Sequence, residues 1–122
     1  MTLYDCIKFD DKGLVAAVIQ DADSGQVLMV GYMNAESLRI TLDRKLACFW
    51  SRSRNELWLK GETSGNLLNV EEVRVDCDQD ALLVKCRPAG PTCHTGEASC
   101  FYRTVAQDGT LSLAGDGVAV MG

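Results

Sequence analysis

The sequence predicts an α+β fold that is strand-dominated, with a mostly antiparallel sheet and one principal helix. Short β-rich runs recur along the chain, turn-forming residues separate them, and a single stretch places leucines at helical spacing. Residues 14–19 (LVAAVI) and 27–32 (VLMVGY) are two such runs. The DADSG segment at 21–25 is a turn signal between them, so they predict a hairpin. Asn34 then offers an N-cap, and Glu36 sits in the first turn, where the helix dipole favours an acid. Leu38, Leu42 and Leu46 follow at helical spacing and predict a helix over 35–45. Residues 47–50 and 57–60 predict two further strands around the polar turn 51–56. Residues 67–75 and 81–86 predict two more. A Pro/Gly-rich loop over 87–96 leads into a short segment at 99–103. No repeat or low-complexity stretch interrupts the pattern. The expectation is one domain over 1–122 with its core within about 14–103, and no role is assigned to 104–122.

Composition narrows the function classes. The chain has 122 residues, 47 % hydrophobic and 24 % charged, which suits a globular domain able to bury a core. No apolar run approaches the ~20 residues that span a bilayer, and the start MTLYDCIKFD is not a signal sequence, so the expected location is cytoplasmic and no membrane partner is expected. A net charge of −5 argues against a nucleic-acid partner, whose footprint would be basic.

Six cysteines stand at 6, 48, 77, 86, 93 and 100. A disulfide framework needs a secretory context that the sequence lacks. Cys6, Cys48 and Cys86 have apolar neighbours and read as small buried hydrophobes. Cys77, Cys93 and Cys100 differ, because Cys93 lies in the turn-rich loop GPTCHTG. Three thiolates with no obvious fourth ligand suit a catalytic zinc, which keeps one position open. A structural zinc closed by Cys86 or His94 also fits the spacing. His94, the single histidine, directly follows Cys93, and imidazole is the side chain most often used for general acid–base proton transfer. Asp76, Asp78 and Asp80 interleave with Cys77 as DCDQD, a set of oxygen donors suited to Mg²⁺ or Ca²⁺ if the backbone curls to gather them. It is not an EF-hand, since Ala81 and Arg87 occupy the positions of its glycine and glutamate.

Arg52, Arg54 and Lys60 gather with hydroxyls and glycines in 51–54 (SRSR) and 60–66 (KGETSGN), a composition that suits phosphate. Trp50 and Trp58 flank the cluster and offer surfaces for a base. On residues alone, a non-enzymatic zinc module and a Mg²⁺-dependent phosphohydrolase centred on the aspartates remain rivals to a zinc hydrolase.

The segments FWSRSRNELWLKGETSGN (49–66), DCDQD (76–80) and GPTCHTGEASCFY (90–102), preceded by VLMVGYMN (27–34), together resemble the phosphoribosyl-AMP cyclohydrolases of histidine biosynthesis, in the family's order. The resemblance implies hydrolytic opening of the N1–C6 bond of 1-(5-phosphoribosyl)-AMP. It implies one zinc per subunit on Cys77, Cys93 and Cys100, Mg²⁺ on Asp76, Asp78 and Asp80, and proton transfer by His94. It also implies an intertwined homodimer in which Cys77 reaches the zinc from the partner chain. The substrate would meet Trp50, Ser51, Arg52 and Ser53, and Lys60, Gly61, Thr63, Ser64, Gly65 and Asn66. No fused pyrophosphohydrolase domain is expected.

Overall fold

The computed structural model describes residues 3–113. In chain order its elements are α1 (Leu3–Cys6), β1 (Val15–Asp21), β2 (Val27–Met33), α2 (Ala35–Arg44), β3 (Cys48–Ser51), β4 (Glu56–Leu59), β5 (Leu68–Val75), β6 (Ala81–Pro88), β7 (Arg103–Val105) and β8 (Leu111–Leu113). The strand-dominated character and the principal helix match the expectation. The predicted strands and helix recur within two residues of their expected ends, and α1 adds a short helical turn.

The main sheet runs β2-β1-β6-β5. Its outer pairs, β1–β2 and β5–β6, are antiparallel, but β1 and β6 run parallel from Ala16↔Ala81 to Asp21↔Cys86. The sheet is therefore mixed. A parallel pair needs a long crossover, and here everything from β2 to β5 forms it.

Alternation divides the sheet into two faces. Val15, Ala17 and Ile19 of β1 and Leu82, Val84 and Cys86 of β6 are buried, together with Leu28, Met33, Leu38, Phe49 and Leu68. Burial pushes the Cys86 thiol up to about 12, as expected of a small apolar side chain. Cys48 is also buried, and Cys6 packs against the core. Buried Ile7 extends the core N-terminal to residue 14. The opposite face carries a cross-strand row of Val30, Val18 and Leu83, and Val30 is 44 % exposed.

Helix α2 begins as its sequence predicts. Asn34 accepts from the Ser37 amide at 2.8 Å, and the Ser37 hydroxyl accepts from the Asn34 amide at 2.9 Å, closing a reciprocal cap. Its buried face is Ser37, Leu38 and Thr41, whereas Leu42 is 43 % exposed, so the leucine spacing misplaces the apolar stripe by one residue. The fully buried Thr41 hydroxyl donates to the Ser37 carbonyl at 2.8 Å and accepts from the Cys48 amide at 2.9 Å. It thereby ties the helix to β3. Thr41→Val orphans the Cys48 N–H and is expected to destabilise the protein by about 1–3 kcal/mol, read as a lower urea midpoint at unchanged slope.

Strands β7 and β8 pair as a hairpin whose Val105, Leu111 and Leu113 are exposed. The unassigned tail 104–122 therefore contains structure, and its remainder, 114–122, lies outside the described residues.

Candidate active site and metal centre

The β3–β4 hairpin, the loop after β4 and the loop after β6 build the candidate site. Antiparallel pairing of Cys48↔Leu59 through Ser51↔Glu56 brings the SRSR turn back on itself, and Asn55 takes a positive φ of 57° there. The loop that follows is closed by the Gly65 amide donating to the Gly61 carbonyl at 2.8 Å. Gly61 has φ +83°, and a side chain at that position would overlap the Asn66 carbonyl, so no other residue fits without moving the backbone. The same closeness holds between Asn66 and Gly90, whose missing Cβ leaves room for the asparagine amide. The Ala89 amide also donates to the Leu67 carbonyl at 2.8 Å. These contacts seat the 61–66 loop against the segment that leads to Cys93.

That segment turns sharply. The Gly96 amide donates to the Cys93 carbonyl at 2.9 Å, and the Cys93 amide donates to the Glu97 carbonyl at 3.1 Å. The turn returns the chain so that the Cys100 amide donates to the Leu28 carbonyl at 2.7 Å and the Ser99 hydroxyl to the Val27 carbonyl at 2.7 Å, both at the start of β2. Cys93 and Cys100 end within hydrogen-bonding reach of each other. The Thr95 hydroxyl donates to the Cys93 sulfur at 3.0 Å. That bond, the Thr95 amide, the Cys100 thiol and the Lys60 charge together outweigh burial and hold the Cys93 thiol below its usual range. Burial and the neighbouring Cys93 push Cys100 up instead. Two touching thiols do not both ionise cheaply unless a cation sits between them. The donor chemistry therefore fits a thiophilic metal.

Lys60 contributes to the electrostatics of both thiols, and its ammonium lies 5.4 Å from the Trp58 ring centroid. Lys60, Gly61, Thr63 and Ser64 line one groove with Trp58, while Trp50, Ser51, Arg52 and Ser53 line a second, and Trp58 forms a wall of both. The structure thus brings together, around one tryptophan, the two segments that the sequence marks for phosphate. Trp50 and Trp58 are half-buried, and Trp58 packs against the core with its ring tilted at 5.5 Å from that of buried Phe49. His94 is exposed on the Cys93 loop. Thr95 was not singled out in the sequence; its signal was a hydroxyl two residues beyond a metal-type cysteine. Thr92, one residue before it, has a buried hydroxyl without a hydrogen-bond partner among the described residues.

Cys77 lies elsewhere. It occupies the turn between β5 and β6 and is exposed. The Cys93 and Cys100 loop follows the other end of β6, and the group of three or more metal-type ligands that gathers among the described residues is Asp76, Asp78 and Asp80, not the three cysteines. One chain does not place its own Cys77 beside its own Cys93 and Cys100.

Around Cys77, the aspartates do gather. Gln79 takes φ +67° and curls the turn, so that oxygens of Asp76, Asp78 and Asp80 lie within 4.8 Å of one another. This is the curl that one shared ion requires of an otherwise straight strand. The Asp76 carboxylate accepts from the Asp80 amide at 3.0 Å and the Ala81 amide at 3.2 Å. Against the cost of burial, these and the neighbouring carboxyls lower it, while Asp78 and Asp76 raise Asp80. The crowding is the kind that a hard divalent cation relieves.

Comparison with known proteins identifies the family. The family profile for phosphoribosyl-AMP cyclohydrolase (PRA-CH) matches residues 29–102. A phosphoribosyl-AMP cyclohydrolase of Chlorobium chlorochromatii is 56 % identical over 111 residues, covering 91 % of this chain and 81 % of its own. Those of Brucella anthropi and Rhizorhabdus wittichii are 59 % and 58 % identical, covering 90 % and 84 % of this chain and 80 % and 82 % of theirs. No helix among the described residues is long and apolar enough to cross a membrane. With its site loops inside the matched span and more than half of its aligned residues shared with these relatives, the chain belongs to the phosphoribosyl-AMP cyclohydrolase family.

Proposed function

We propose that the protein is a zinc-dependent hydrolase that opens the N1–C6 bond of the purine ring of 1-(5-phosphoribosyl)-AMP, releasing the imidazole carboxamide product in L-histidine biosynthesis. The observation that carries this reading is the meeting of the Cys93–Cys100 pair with Lys60 and the 61–66 loop, within a chain of this family.

Cys93 and Cys100 would hold zinc together with Cys77 of the partner subunit, one ion per subunit of a homodimer. The placement of Cys77 before β6 and of the Cys93–Cys100 pair after it supports a shared site, because the three thiolates do not gather within one chain. The row of exposed Val30 and half-buried Val18 and Leu83 supports a second copy, since it is apolar surface that association would cover. When bound, zinc activates water for attack at C6. His94 takes a proton from that water as the C6–O bond forms. It returns the proton to N1 as the N1–C6 bond breaks, so the step balances without a further reactant. Lys60, Gly61, Thr63, Ser64, Gly65 and Asn66 would bind one phosphate of the substrate, Ser51, Arg52 and Ser53 the other, and Trp50 would lie against the base. Asp76, Asp78 and Asp80 would hold Mg²⁺.

Mixing Cys77→Ala protein with Cys93→Ala protein tests this reading. Each is expected to be inactive alone, whereas a hybrid dimer regains one site with all three thiolates and restores up to about a quarter of wild-type turnover of phosphoribosyl-AMP. Absence of recovery after demonstrated subunit exchange contradicts a shared site.

A further inference from the structure

A second cationic centre stands on the far side of Trp58 from Lys60. The Arg52 guanidinium carbon lies 3.8 Å from the centroid of the Tyr32 ring, the shortest cation–ring distance among the described residues. Arg54, Arg74 and Arg87 each pair with an acidic side chain, but neither Arg52 nor Lys12 has a carboxylate within 4.0 Å among the described residues. Asp10, two residues before Lys12, has its carboxylate engaged by the Leu14 and Lys12 amides at 2.9 and 2.8 Å, which lower its pKa more than the Lys12 charge does.

Lys12, Trp50 and Arg52 line two adjoining hollows. The larger, of about 560 Å³, also carries Tyr32 and the hydroxyls of Ser51 and Ser53, which lie 3.5 Å apart. In a protein of net charge −5, two cations with no carboxylate within 4.0 Å among the described residues, beside two hydroxyls and an aromatic wall, match the chemistry of a phosphate monoester on a sugar. Arginine carries five donors in a rigid plane, so the face that stacks on a ring fixes where its edge points. Tyr32 supplies that face.

We propose that Lys12 and Tyr32 complete an anion pocket with Arg52, Lys12 contacting one phosphoribosyl phosphate of the substrate and Tyr32 acting as a positioning residue that aims the Arg52 guanidinium at the same phosphate. The proposal rests on the phosphoribosyl-AMP reading above and extends it to two residues that lie outside the cysteine, aspartate and glycine-loop motifs. Lys12 stands on the loop before β1 and Tyr32 on β2, so the pocket draws on parts of the chain well before the SRSR turn.

Steady-state turnover of phosphoribosyl-AMP and calorimetric titration with ribose 5-phosphate, made on the same proteins, test the pocket. Lys12→Gln is expected to raise KM about 10-fold at nearly unchanged kcat and to weaken ribose 5-phosphate binding by a similar factor. Tyr32→Leu is expected to raise KM about 5-fold, while Tyr32→Phe, which keeps the stacking face, stays near wild type. Lys12 is exposed, so its substitution leaves folding intact. Unchanged KM and ribose 5-phosphate affinity in Lys12→Gln overturn the proposal, as does a Tyr32→Phe protein damaged as much as Tyr32→Leu. If the wild-type protein does not turn over phosphoribosyl-AMP, the functional reading fails, and the titration still decides the pocket. Ribose 5-phosphate binding that is lost in Lys12→Gln sustains it, and absence of binding to the wild type overturns it.

Discussion

Cys93→Ala protein is expected to fold, to purify without zinc, and to show no measurable ring opening. On the proposed ligand set the effect is large, because the substitution would remove one of three protein donors, and a two-thiolate remnant would hold the ion too weakly to retain it through purification. Cys93 is 7 % exposed, yet its side chain sits in a loop rather than in the main core cluster, and Cys86 and Cys48 occupy the core without it. The thermal midpoint of the zinc-free protein should therefore resemble that of chelator-treated wild type. Metal analysis by plasma emission checks the first part and substrate absorbance the second. Zinc retained at full stoichiometry removes Cys93 from the ligand set.

His94→Ala separates binding from chemistry. The side chain is exposed on the Cys93 turn, whose backbone bonds, Gly96 to Cys93 and Cys93 to Glu97, do not involve its imidazole. Zinc content and melting temperature are expected to stay at wild-type values while kcat falls about 10²–10⁴-fold, the range for loss of a positioned acid–base group. An unchanged kcat takes His94 out of the mechanism, and loss of zinc makes it a ligand instead.

How much of this was legible in the sequence depends on how local each feature is. The β1–β2 hairpin was legible because 21–25 is a self-contained turn, and the start of α2 because Asn34, Glu36 and Ser37 cap it within four residues. The parallel β1–β6 pair was not legible. Alternation reports which face of a strand is buried but not which strand lies beside it, and the paired Ala16 and Ala81 are 65 positions apart. Leu42 misled because helical spacing fixes a face only relative to its neighbours. Thr41, a polar residue with a buried hydrogen-bonding role, displaced it from the core. The β7–β8 hairpin carried an Asp108-Gly109 turn signal, and it was passed over because its strands are only three residues each.

The site divides in the same way. The carboxylates of Asp76, Asp78 and Asp80 were legible as a set, but their convergence depends on the positive φ of Gln79, an uncommon conformation for a residue with a side chain. Cys93 and Cys100 were legible as partners because a turn joins them. The packing of Asn66 against Gly90, which brings the 61–66 loop to those cysteines, is tertiary and has no local signature.

The central claim is that a zinc ion on Cys77, Cys93 and Cys100 is required for hydrolysis of phosphoribosyl-AMP. Its most direct test is absorbance-monitored turnover by purified protein supplied with Mg²⁺, before chelation, after chelation and after zinc is restored. Ring opening is expected to disappear with zinc and to return at one equivalent per subunit. Turnover that persists in zinc-free protein, or no turnover by folded, zinc-loaded protein, contradicts the claim.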